Sequence, residues 1–319
     1  MSDYLLEAKN LSRVFPAAGK KTVQAVSGVS IGVREGETLG LVGESGCGKS
    51  TLGRLMIRLL RPTEGDVLFR GKNITAMGEK EFSPFRREMQ LVFQDPYASL
   101  DPRMTVRDLV AEPIETWKLC GSREEVTERV RELLRAVGVP EEFLHRYPHQ
   151  FSGGQRQRIG IARAIAANPS FIVCDEPVSA LDVSVQNQIL NLLKELKETR
   201  DLTYLFISHD LSVVRYLADR VCVMFLGKVC EIGPTEEVYE HPRHPYTRFL
   251  LDAVPVPDPA ARGKQIRLLK GEAPSPADPP PGCRFRTRCP YATERCAEEE
   301  PALQEADGVR VACHCTGKW

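Results

Sequence analysis

The sequence predicts an α/β fold with a largely parallel core sheet. Three short, nearly continuous apolar runs carry that expectation: ETLGLVG, FIVCDEP and LTYLFISHD have the pattern of strands covered on both faces. Helical patterns follow the first two, LGRLMIRLL and VQNQILNLLKELKETR, and strand–helix–strand alternation implies parallel pairing through crossover helices. At 319 residues the chain has room for about two domains and one sizeable core.

The remaining elements follow in chain order. From Leu5 to about Gly40, short apolar runs alternate with polar ones, as in TVQAVSGVSIGV, and read as strands. RPTEG is a turn, GDVLFRGKNI a hairpin-like pair, and LVFQD a strand from Leu91 to Asp95. Between Val106 and Val137 the apolar period becomes 3.6, with EEVTERVRELLRAVGV the clearest amphipathic helix. FSGGQ opens another helix, QRIGIARAIAA, which Asn168-Pro169 stops. The mainly helical stretch at about 97–168 therefore reads as an insertion into a domain spanning 1–250. Beyond Leu251, PVPDPA and APSPADPPPG have linker chemistry. They lead to a cysteine- and arginine-rich end of region 251–319 that is too short to build its own core.

Composition excludes several function classes. Lys and Arg total 43 against 43 Asp and Glu, so bulk attraction to nucleic acid or acidic lipid has no basis. An apolar share of 42% rules out wholesale disorder. No apolar run approaches the roughly 20 residues of a membrane span. The opening MSDYLLEAKN lacks the regions of a secretory leader, so a cytoplasmic location is expected. In a reducing compartment, cysteines serve as metal ligands or core residues more often than as disulfides. Five of the ten lie within the last 37 residues.

The strongest local signal is Gly43-Glu44-Ser45-Gly46-Cys47-Gly48-Lys49-Ser50-Thr51, a G-x-x-x-x-G-K-S motif between a strand and a helix. Glycines there let backbone N–H groups turn inward around phosphate oxygens, and the helix N-terminus adds its positive end. Lys49 is placed to reach the β- and γ-phosphates and Ser50 to put a hydroxyl on magnesium. Cys47 occupies a variable position. A second signal is FIVCDE, which puts Asp175 and Glu176 at the exit of a buried strand, where α/β proteins bind ligands. Asp175 is expected to hold magnesium and Glu176 to polarise the attacking water. Cys174 reads as core.

The third signal is Phe151-Ser152-Gly153-Gly154-Gln155 before a long helix, with Ser152 a fair N-cap. Together with the first two, it resembles the signature of the ATP-binding cassette (ABC) ATPases. Gln94 in VFQDP matches that family's Q-loop, Ser179-Ala180-Leu181-Asp182 its D-loop and His209 in ISHDL its switch histidine. Phe151 stands where the family usually has leucine, and Phe15 is the candidate aromatic for the adenine. The resemblance implies a P-loop NTPase (RecA-like) core with an N-terminal β-subdomain, an inserted α-helical subdomain and a small Cys-rich extension. It also implies ATP and Mg²⁺ as cofactors, magnesium held by Ser50, Gln94 and Asp175, and catalysis by Glu176, His209 and Gln94. Hydrolysis in that family needs head-to-tail dimers, in which one subunit's signature helix completes the other's phosphate site.

In the tail, Cys283, Cys289, Cys296 and Cys313 are separated by five, six and sixteen intervening residues, with His314 and Cys315 beside the last. Four thiolates suit an iron–sulfur cluster as well as zinc. CRFRTRCPYATERC, after HPYTRFLLDAVPVPDP, resembles the C-terminal extension of oligopeptide/dipeptide ABC importer ATPases, and SALDVSVQNQILNLL and VMFLGKVCEIG resemble the F-type of the two Opp/Dpp ATPase subunits more than the other. That resemblance implies a 4Fe–4S cluster on those four cysteines, with Zn²⁺ the alternative. It further implies a second, homologous ATPase subunit as heterodimer partner, two permeases and an extracytoplasmic peptide-binding protein. The expected location is the cytoplasmic face of the inner membrane. Nickel importers and, in another class, soluble ABC-type proteins acting on ribosomes or nucleic acid are the alternatives. Because Lys49 and Ser50 belong to a separate core, nucleotide binding is expected to survive loss of the tail's cross-link.

Overall fold

The computed structural model describes residues 4–17, 22–254, 271 and 274–317. The PVPDPA stretch lies outside them. The chain divides into two interleaved units, one of residues 1–33, 38–76 and 208–319, the other of residues 34–37 and 77–207.

The first unit opens with strands β1 (Tyr4–Pro16), β2 (Thr22–Arg34) and β3 (Thr38–Val42), followed by helix α1 (Lys49–Met56) and strands β4 (Glu64–Phe69) and β5 (Lys72–Asn73). Four of these strands form a sheet in the order β2-β1-β4-β5. Its register sets Leu6 opposite Phe69 and Ala8 opposite Val67, so alternate side chains bury one face. Every residue of β3 is buried, as the apolar run in the sequence requires.

The second unit contains α2 (Glu79–Glu88), β6 (Met89–Val92), α3 (Val106–Thr116), α4 (Arg123–Ala136) and α5 (Gly153–Ile165). It continues through β7 (Phe171–Asp175), α6 (Val183–Arg200) and β8 (Thr203–Ile207). Within it β6, β7 and β8 pair in parallel, with Phe171 opposite Met89 on one side and Thr203 on the other. Helix α4 starts where Ser122 accepts a hydrogen bond from the Glu125 N–H, and it buries Val126, Val130, Leu133 and Leu134 at the predicted spacing. Strand β6 ends at Val92, short of the Asp95 the sequence suggested. There the Asp95 carboxylate accepts from the Tyr97 N–H at 2.7 Å, a local turn that takes the backbone out of the ladder.

The chain then returns to the first unit with α7 (Leu211–Leu217), β9 (Arg220–Phe225), β10 (Lys228–Pro234), α8 (Thr235–Glu240) and α9 (Pro245–Asp252). The tail contributes α10 (Glu294–Glu298), β11 (Gln304–Ala306) and β12 (Val309–Val311). Strand β9 runs parallel to β3, with Cys222 opposite Leu41, and β10 folds back antiparallel on β9. Strand β12 pairs with β10 and β11 with β12, so the tail extends this sheet. Within the first unit the tail thus shares the sheet of β9 and β10. None of the helices among the described residues is long and apolar enough to cross a membrane.

Candidate nucleotide site

Strand β3 delivers the chain into the glycine-rich loop, and backbone geometry dictates where glycine must stand. Gly43 has φ 150°, and a Cβ there would lie 2.2 Å from the Met224 carbonyl oxygen. Gly48 has φ 104°, and its Cβ would meet the Ala25 carbonyl at 2.1 Å. Any other residue would push the loop away from the strands that support it. The loop is pinned by backbone bonds from the Cys47 N–H to the Glu44 carbonyl, 3.2 Å, and from the Gly227 N–H to the Cys47 carbonyl, 2.8 Å.

Lys49 is buried, and its ammonium donates to the carbonyls of Gly43 at 2.8 Å and Glu44 at 3.1 Å. Ser50 and Thr51 sit in the first turn of α1, whose N-cap is Gly48. Burial raises the Cys47 thiol pKa, which makes it a poor nucleophile despite its place in the loop. Ser45 and Gly46 are exposed at the loop's crest. Also in this unit, the Ser208 N–H donates to the Leu41 carbonyl at 3.2 Å, and exposed His209 follows directly. Phe15 is half-buried near the end of β1, with the Arg13 guanidinium 4.6 Å from its ring centroid.

The second unit brings Glu176 and Gln94 together across 82 positions of sequence, the amide nitrogen donating to the Glu176 carboxylate at 3.1 Å. Asp175 ends β7 almost fully buried. Glu176 adopts φ 46°, a left-handed conformation unusual for a side-chain-bearing residue. Its N–H bonds to the Ile207 carbonyl at 3.0 Å, and its carbonyl accepts from the Ser179 hydroxyl at 3.1 Å. The strain is thus over-determined by its surroundings.

Ser152 and Gln155 form a reciprocal capping box at the start of α5. Gly154 is required by packing, because a Cβ there would lie 2.4 Å from the Val185 side chain on α6. Gly153 is less crowded, with Leu181 at 3.2 Å. Phe151 fits where leucine was expected, since its ring meets Phe143 edge-on at 5.5 Å. Asp182 caps α6 by accepting from the Val185 N–H at 3.0 Å, and the Ser184 hydroxyl's bond holds its carboxyl pKa low. Sequence reading gave Asp182 a nucleotide role and overlooked this cap.

Residues 26–179 match the ABC transporter family, and residues 230–296 match the oligopeptide/dipeptide transporter C-terminal region. The oligopeptide transport ATP-binding protein AppF of Bacillus subtilis (strain 168) is 53% identical over 319 residues, covering 97% of each chain. The oligopeptide transport ATP-binding protein OppF of Escherichia coli (strain K12) is 52% identical, covering 92% of this chain and 88% of that one. The chain belongs to the ATP-binding subunits of oligopeptide ABC transporters. Among solved structures, the post-hydrolysis dimer of the ATP-binding cassette MJ0796 with ADP and phosphate superposes with TM-score 0.66 and 32% identity. It covers 72% of this chain and 98% of that one, so the ABC cassette fold is common to both. As a member of this family, the chain is an ABC ATPase.

In this ABC subunit the tail cysteines are neighbours. Burial, followed by the charge of the other tail thiols, pushes both Cys283 and Cys289 up to about 11. Cys313 is likewise raised, chiefly by burial. Its sulfur accepts from the Cys315 N–H at 3.3 Å, and the Cys315 thiol donates to the Tyr291 carbonyl at 3.3 Å. Soft sulfur donors suit iron or zinc chemically. Yet among the described residues no group of three or more Cys, His, Asp or Glu is arranged to hold a metal ion. The four-thiolate ligand set expected from the sequence is therefore not assembled. The segment is held meanwhile by main-chain bonding, as in the Cys283 N–H bond to the Cys296 carbonyl at 2.8 Å.

Proposed function

We propose that this chain is an ATP-hydrolysing motor subunit for import of di- and oligopeptides, attached peripherally to the cytoplasmic face of the cell membrane. One observation carries the reading: the phosphate-loop cassette and the oligopeptide/dipeptide transporter C-terminal region occur in one chain. In the proposed reaction Lys49 and the loop's N–H groups hold the triphosphate, and Phe15 stacks on the adenine. Ser50, Gln94 and Asp175 would hold magnesium, which supplies positive charge against the phosphates. Glu176 accepts the proton of the attacking water at its carboxylate, while Gln94 and His209 orient that water and the terminal phosphate. Ser152, Gly153, Gly154, Gln155 and Asp182 act on the nucleotide of a second, homologous ATPase subunit. Two permeases and an extracytoplasmic binding protein complete the assembly. The test is reconstitution with those partners in vesicles. ATP-driven uptake of a labelled oligopeptide is expected; uptake of nickel alone, or ATP turnover with no solute movement, would overturn the cargo assignment.

We further propose that the tail takes a 4Fe–4S cluster on Cys283, Cys289, Cys296 and Cys313 once metal draws them together. Support comes from four soft donors on one short segment and from the mutual charge influence of their sulfurs. Protein purified without oxygen should then be brown, with about four irons per chain. Serine at Cys283, Cys289 or Cys296 should bleach it, and serine at Cys315 should not. A colourless chain with one bound zinc would replace the cluster by zinc, and a metal-free chain would remove both.

A further inference from the structure

The tail reaches the phosphate loop directly. Arg288 places one guanidinium nitrogen 2.9 Å from each carboxylate oxygen of Glu44, the second residue of the G-x-x-x-x-G-K-S motif. The Arg288 side chain is only 9% exposed and that of Glu44 29%, so this is a partly desolvated ion pair, which salt screens less than a surface contact.

The segment that presents Arg288 is itself anchored. Arg284 donates to the Leu226 carbonyl and, at 2.7 Å, to the Gln24 amide oxygen. Leu226 precedes Gly227, whose N–H holds the Cys47 carbonyl inside the loop. The Phe285 ring packs against Phe225 and Tyr246 at centroid distances of 5.3 Å. Tyr246 in turn accepts the Glu44 N–H on its phenolic oxygen at 2.9 Å. Glu44 is thereby held at its N–H by Tyr246, at its carboxylate by Arg288 and at its carbonyl by Lys49.

Two physical consequences follow. A carboxylate in a loop that must receive a polyanion repels it unless a cation neutralises it, and Arg288 is that cation. The same pair fixes the backbone of Glu44, whose displacement would misdirect neighbouring N–H donors. We propose that Arg288 is a positioning residue for nucleotide binding, acting through Glu44, so that the folded tail sets the chain's affinity for ATP. This rests on the ATPase reading above and deepens it. It makes the opposite forecast to the expectation that nucleotide binding survives loss of the tail's cross-link.

The test is equilibrium titration of the full chain with a fluorescent ATP analogue and magnesium, alongside KM and kcat of the assembled transporter. Arg288→Ala should weaken nucleotide binding roughly tenfold and raise KM for ATP, with kcat changed much less. Glu44→Gln combined with Arg288→Ala should recover affinity to within about twofold of Glu44→Gln alone, because no carboxylate remains to be neutralised. Arg288→Lys, which keeps the charge, should lie between the unaltered chain and Arg288→Ala. Equal affinity in Arg288→Ala and the unaltered chain would overturn the inference. So would a double variant as weak as Arg288→Ala, since that loss would be structural and independent of the Glu44 charge. If Arg288→Ala failed to fold, Arg288→Lys against Arg288→Gln would decide by the same comparison. An unaltered chain that bound no nucleotide would instead remove the ATPase reading itself.

Discussion

Glu176→Gln is expected to lower ATP turnover by about two to four orders of magnitude while leaving nucleotide affinity near that of the unaltered chain. The reason is chemical and local. Glutamine keeps the shape of glutamate and retains an amide oxygen for the bond from Gln94, now 3.1 Å from the carboxylate. It loses the basic oxygen that accepts the water's proton. The left-handed backbone at this position, φ 46°, is held by the bonds to Ile207 and Ser179, neither of which uses the carboxylate. Single-turnover hydrolysis measured beside nucleotide titration separates chemistry from binding. Hydrolysis close to the original rate would take the general-base role away from Glu176.

Lys49→Ala is expected to act on binding instead. The buried ammonium serves two carbonyl oxygens, at 2.8 Å and 3.1 Å, and supplies the proposed charge partner of the phosphates. Loss of charge-assisted hydrogen bonds of this kind costs about 3 kcal/mol, roughly a hundredfold in affinity. Titration with magnesium and nucleotide reads the loss directly. Unchanged affinity would show that the loop is not the phosphate site. Far-ultraviolet circular dichroism checks that the variant still folds, since the alanine leaves the Gly43 and Glu44 carbonyls without their donor.

Much of this was legible because it is local. The phosphate loop, the Asp175-Glu176 strand end and the helix opening at Ser152 each depend on residue types a few positions apart, and a sequence displays such spacing openly. The period of 3.6 located α4 for the same reason. Other features depend on what folding brings together. Glu44 and Arg288 are 244 positions apart, and nothing near either names the other. The need for glycine at 154 comes from Val185 on another helix, and the capping role of Asp182 was hidden behind its motif. The sequence marked the tail as too short to build its own core but did not show what would supply one. Its apolar partners, Phe225 and Tyr246, lie in the cassette sequence instead.

The pairing of β12 with β10 also bears on solubility. Strand β10 is buried from Val229 to Gly233 and is joined to β12 through Glu231 and Ile232. Removing the tail would bare that row of amide and carbonyl groups beside apolar side chains, a template for pairing with another molecule. Among the described residues the strand beyond β12 is β11, three residues long, with Gln304 and Glu305 exposed. A short, charged margin of this kind discourages strand-to-strand assembly. The tail thus acts as a guard against aggregation, and chains cut before residue 274 are expected to precipitate during expression.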